Sequence, residues 1–207
     1  MAPALEPFFQ SLSEDITNGQ FKKALEMCDK ILSQAPKDPE ALKCKSLCLI
    51  HLDKFDEALA FIEKQEKETD FKAELEKAYC YYKKREHDKS LEILANLPES
   101  IPLLHLRGQI NYRLGEFETA KSDFNKILEQ NKNSEILVNI LAVKTGSKEN
   151  SDIKFFADQI GSSSDLAYNI ACLYLKSGDL QNTEKYLTLA EGFLFFFLRF
   201  LYKNHFL

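Results

Sequence analysis

Cys44 and Cys48 stand four residues apart, a spacing that puts two thiols on one face of a helix and could supply half of a zinc site. A tetrahedral site needs two further ligands, and no second pair accompanies them. His51, His87, His105 and His205 fall in different segments. Burial as small hydrophobes is the simpler role for the five scattered cysteines, Cys28, Cys44, Cys48, Cys80 and Cys172, and it fits reduced thiols in a cytoplasmic chain. No Gly-rich phosphate loop, nucleophile elbow or His-Glu-x-x-His run is present. The charged runs at 63–68 and 74–77 mix both signs and read as solvated helix faces. Neither a catalytic residue nor a cofactor or metal site is expected, which leaves binding as the chemistry and makes an enzyme the wrong class.

A binding protein needs a scaffold, and the composition says which kind. Hydrophobic residues make up 44% and charged residues 29% of 207, while Gly (7) and Pro (6) are scarce, a balance that favours a folded, helical chain. The formal net charge of −5 is a poor footprint for a nucleic-acid binder, which needs a basic patch to displace counterions. The N-terminus has no Lys or Arg ahead of its apolar residues, so it does not read as a secretory signal.

The scaffold shows itself best at 104–130. Two amphipathic helices flank a turn at Leu114-Gly115-Glu116, with Gly108 and Ala120 expected to face each other where the helices cross and with Leu104, Phe117, Phe124 and Ile127 around them. A hairpin of this size cannot bury its apolar face alone, so more copies are expected. Phe21/Ala24, Phe55/Ala58 and Phe117/Ala120 repeat one aromatic-x-x-Ala element, and His87/Ser90 takes its place once. The small residues Ala24, Ala58, Ser90 and Ala120 are separated by 34, 32 and 30 residues.

The expected units are 5–35, 39–67, 71–97, 101–130, a degenerate 134–160 with a polar, mobile loop at 145–150, and 164–191. They form one all-α domain over 1–191, a right-handed α-solenoid of helix-turn-helix repeats. Residues 192–207 break the pattern, with six Phe in sixteen positions. Arg199 and Lys203 interrupt a stretch too short to span a bilayer, so no membrane insertion is expected. The tail reads as a gene-model artefact, translated from A/T-rich non-coding sequence, with a real capping helix as the alternative.

In such an array the first helix of each pair lines the binding face. Its outward positions predict an apolar, tyrosine-rich groove made of Leu47, Ile50, Leu75, Tyr79, Tyr82, His105, Gln109, Tyr112, Tyr168 and Leu175, with Phe9, Ser13, Ile16, Lys43 and Cys172 beside them. Tyrosines of this kind anchor a helical or extended partner segment at small entropic cost.

The period resembles that of the tetratricopeptide (TPR) repeat. Two stretches narrow the resemblance to the SRP72 family of signal recognition particle subunits: 76–82 with 90–94, and 167–172 continuing through Gly178-Asp179-Leu180 to Ala190-Glu191. The stretches 24–32, 41–45 and 48–50 agree in order and spacing, so that the likeness covers about 20–191. It implies the N-terminal repeat domain, which grips a segment of a second signal recognition particle subunit, SRP68, in cotranslational targeting of proteins to the endoplasmic reticulum. The implied setting is cytoplasmic, with transient association at that membrane. A basic C-terminal region binds the particle's RNA in that family and does not occur here, so RNA is expected only as an indirect partner. The competing expectation is a generic TPR adaptor or co-chaperone, but a clamp for a C-terminal carboxylate needs cations where Leu47, Leu75 and Tyr79 stand.

Overall fold

The computed structural model describes residues 5–130, 134–147, 153–158, 161 and 163–205, with the side chains of 134–135 and 193–205 excepted. Among the described residues twelve helices make up the regular structure and no strand occurs. They pair as α1 (Glu6–Thr17) with α2 (Phe21–Gln34), α3 (Pro39–His51) with α4 (Phe55–Glu68), and α5 (Glu74–Lys83) with α6 (His87–Ala95). Then follow α7 (Ile101–Leu114) with α8 (Phe117–Gln130), α9 (Ser134–Gly146) with α10 (Ile153–Ala157), and α11 (Ser164–Ser177) with α12 (Leu180–His205). The first three pairs form one compact unit, residues 1–98, and the last three form another, residues 99–207.

One backbone device closes five of the six pairs. Gly19, Asp53, Arg85, Gly115 and Gly178 all have positive φ, between 56° and 81°. In each turn the amide of the positive-φ residue donates to the carbonyl three residues back, and the next amide donates to the carbonyl five residues back, as in Gly115→Tyr112 with Glu116→Asn111 and Arg85→Tyr82 with Glu86→Tyr81. This double bond pattern satisfies the orphan carbonyls at the end of a helix and reverses the chain within a few residues. A left-handed backbone is strained for a residue with a Cβ. Arg85→Gly is therefore expected to raise the unfolding free energy by about 0.5–1 kcal/mol, which urea denaturation followed by circular dichroism measures.

The small residues sit where the repeat requires them. Ala24, Ala58, Ser90 and Ala120 are fully buried. Ser90 shows why a hydroxyl is tolerated there, since its Oγ donates to the Ala78 carbonyl at 2.7 Å across the α5/α6 pair. The aromatic three residues earlier packs on the C-terminal turn of the following pair's first helix. Phe21 stacks on His51 with ring centres 4.1 Å apart, Lys83 lies over Phe55, and a Cβ on Gly146 would fall 2.5 Å from the Phe117 ring. Repetition of the aromatic-x-x-Ala element thus joins neighbouring pairs as well as helices within a pair.

Several expectations are corrected. The atoms nearest the missing Cβ of Gly108 belong to the Phe124 ring, at 2.8 Å, so a small residue on α7 receives a large one from α8. The third unit's first helix starts at Glu74, not near Phe71. Thr145 and Gly146 belong to α9 and Ser147 is buried, so these three are not a mobile loop; residues 148–150 lie outside the described residues, as does Ile160. In the last pair, α12 runs through Gly192 to His205 as one helix, across the expected boundary at 192.

In the first unit, Leu12, Ala24, Cys28, Ile31, Ala41 and Cys48 form a cluster among α1, α2 and α3. In the second, Leu104, Phe124, Ile127, Leu141, Leu166 and Ile170 draw α7, α8, α9 and α11 together. Among the described residues no helix is long and apolar enough to cross a membrane.

Candidate functional site

The thiols are packing groups in this fold. Cys28 and Cys48 are buried against each other on α2 and α3. Their mutual hydrogen bond, reinforced by burial, holds the Cys28 thiol well above its ordinary range. Burial likewise pushes the Cys80 thiol up to about 11, so it stays protonated and unreactive at neutral pH. Cys44, half-buried, is raised as well, first by desolvation. Among the described residues no three His, Cys, Asp or Glu side chains are grouped to hold a metal.

The candidate site is the outward face of the first helices in each unit. In the first unit, Leu47 on α3 is 36% exposed and Ile50, one turn later, is half-buried. Leu75 and Tyr79 on α5 are half-buried, and α5 packs on α3. Lys83, which the sequence reading did not single out, joins Tyr79 with its ammonium 6.0 Å from the centre of that ring and 5.6 Å from that of Phe55. Tyr82 does not join them. At 6% exposure it is a core residue, its ring 6.1 Å from Tyr79 and 5.9 Å from His87. Its contact with the His87 ring places it on the side of α5 that packs against α6. Phe9 and Ile16 on α1 pack against the cluster of that unit, while Ser13 is exposed.

In the second unit, Tyr112 on α7 is 39% exposed and Tyr168 and Leu175 on α11 are 55% and 57% exposed. Gln109 is half-buried, and Cys172 lies between Tyr168 and Leu175. Tyr168 and Leu175 are seven residues apart and so share one stripe of α11. His105 is engaged rather than free: Asn139 on α9 approaches its Nε2 at 3.1 Å, and its ring meets the edge of Phe124. Asn169 donates to the Val138 carbonyl at 3.3 Å, which ties α11 to α9 in the same manner. Sequence reasoning missed both asparagines, because an Asn on an outward helix face carries no periodic signal of its own. These polar ties fix the spacing of the first helices while leaving large apolar side chains open to solvent. Such a surface suits a protein segment better than a small substrate.

Comparison with known proteins bears on whose surface this is. A family model for TPR-like repeats, SRP_TPR_like, matches residues 24–146. The signal recognition particle subunit SRP72 of Dictyostelium discoideum is 30% identical over 91% of this chain and 29% of its own length. The human SRP72 is 30% identical over 84% of this chain and 27% of its own, so the chain spans less than a third of the curated relatives it matches. Among solved structures, a thermophilic TPR protein from Thermus thermophilus superposes with a TM-score of 0.59 at 18% identity, covering 90% of this chain and 98% of that one. A tetratricopeptide repeat protein from Parabacteroides merdae gives 0.53 at 16% identity, over 91% and 93%. These structural likenesses establish the TPR fold, and the matched model, which spans more than half of the residues, establishes that the chain belongs to the SRP_TPR_like family of TPR-like repeats.

Proposed function

We propose that the chain is the repeat portion of a signal recognition particle subunit, a protein-interaction scaffold whose outward first-helix faces hold a segment of the particle's SRP68 subunit. It would serve cotranslational targeting to the endoplasmic reticulum from the cytoplasm, and meet the particle's RNA only through other parts of the assembly. The observation that carries this reading is the set of large apolar side chains left open on the first helices, Leu47, Tyr112, Tyr168 and Leu175, in a chain whose relatives are subunits of that particle. Aromatic anchors of this kind supply most of the free energy of a protein interface, and each such residue lost costs about 1–2 kcal/mol of binding.

Tyr168→Ala and Leu175→Ala are expected to weaken capture of SRP68 about tenfold each. Both side chains are more than half exposed, so the melting temperature should hardly move. Calorimetric titration of purified proteins reads the first effect and thermal unfolding reads the second. Retention of full affinity by both folded variants would remove the α11 stripe from the binding surface. Recovery of chaperones, with no particle subunit, from a cytosolic pull-down would favour the adaptor reading.

A further inference from the structure

The first unit carries a second concave surface that uses none of the outward positions. Where α2 ends, α3 begins and α4 ends, two adjoining cavities of about 520 and 310 Å³ share Lys37, Leu42, Glu68 and Thr69. Their apolar walls come from Leu32, Leu42, Phe61 and Phe71, and their rim carries Lys37, Lys45, Lys64 and Lys67. Four ammonium groups against the two lining carboxylates, Glu68 and Asp70, run counter to a chain of net charge −5.

The four lysines are not equivalent. Lys45 is held in place, 2.6 Å from the Asp29 carboxylate and 5.0 Å above the Phe61 ring. Lys64 stands 4.0 Å from Glu68 with both side chains more than half exposed, an arrangement that neutralises little in water. Lys37 and Lys67 both line the larger cavity, both are exposed, and neither has an acidic partner among the described residues. The apolar wall gives one large side chain a place to bury, which a phosphate backbone does not supply, and carboxylates flanking that side chain in a peptide complement Lys37 and Lys67.

We propose that this cleft docks an acidic partner segment, one large apolar side chain flanked by carboxylates, independently of the outward first-helix faces. Fluorescence anisotropy with the full chain and a fluorescein-labelled peptide Gly-Asp-Glu-Phe-Glu-Asp-Gly tests it. Saturable binding is expected, weakened about tenfold or more by the double substitution Lys37→Glu/Lys67→Glu. Lys22→Glu/Lys23→Glu, which makes the same charge change away from the cleft, should change it less than twofold, and replacing the peptide's Phe by Ser should weaken it as well. Lys37→Gln/Lys67→Gln gives the same reading at half the charge change should the reversal perturb folding. Absence of binding, equal weakening by both lysine pairs, or tighter binding of a single-stranded RNA oligonucleotide lost on the same substitutions would overturn the assignment.

Discussion

Phe124→Ala is expected to lower the unfolding free energy of the second unit by about 3–5 kcal/mol, the usual range for a fully buried phenylalanine cut back to its Cβ. The ring is 1% exposed. It lies on the bare backbone of Gly108, meets the edge of His105, and belongs to the cluster that joins α7, α8, α9 and α11. Helices on four sides cannot all collapse into the space the ring leaves, so the cavity remains and the loss falls near the top of the range. Gly108→Ala attacks the same contact from the other side, because its methyl would press 2.8 Å from the ring. It is expected to cost about 1–3 kcal/mol as overpacking, less the gain in helix propensity. In the double variant the methyl meets no ring, so the two losses should sum to clearly more than the measured total, by about 1 kcal/mol or more. Urea denaturation of the four proteins of this cycle measures the coupling, and strict additivity would show that Gly108 does not seat Phe124.

The second large effect is Arg107→Ala, expected to destabilise by about 3 kcal/mol, well above Asp123→Ala at about 1–2 kcal/mol. Arg107 on α7 donates to both carboxylate oxygens of Asp123 on α8, at 2.9 and 2.7 Å. The two members are unequally placed. The Asp123 side chain is 3% exposed while that of Arg107 is 28% exposed, with Glu99 a further 3.8 Å away. Loss of the acid leaves a guanidinium that water and Glu99 can still serve. Loss of the arginine leaves a buried carboxylate without its cation. Equal losses at neutral pH for the two substitutions would refute the asymmetry.

The arrangement of helices was readable because the signal is redundant. Several pairs carry an apolar period, a small residue and a turn residue that agree, as at Ala24 with Gly19, at Ala58 with Asp53 and at Ala120 with Gly115. Positions that depend on one fact were not readable. Which side chain of α8 fills the space over Gly108 depends on the axial offset of two helices, and the nearest atoms come from Phe124, one turn beyond Ala120. Whether an outward aromatic is open or covered depends on what packs beside it. Tyr82, in the last turn of α5, is covered by its contact with His87 on α6. Tyr168 on α11, 55% exposed, stays open. The lysine rim at the α2/α3 junction had no signature at all, since it is assembled from three helix ends.

The most direct test of a scaffold belonging to the signal recognition particle is titration of the purified full chain with SRP68, carried out without RNA. A saturable 1:1 complex that also raises the melting temperature of the chain is the predicted result. A folded chain that shows no heat of binding and no shift in melting at high micromolar concentrations of that subunit would contradict it.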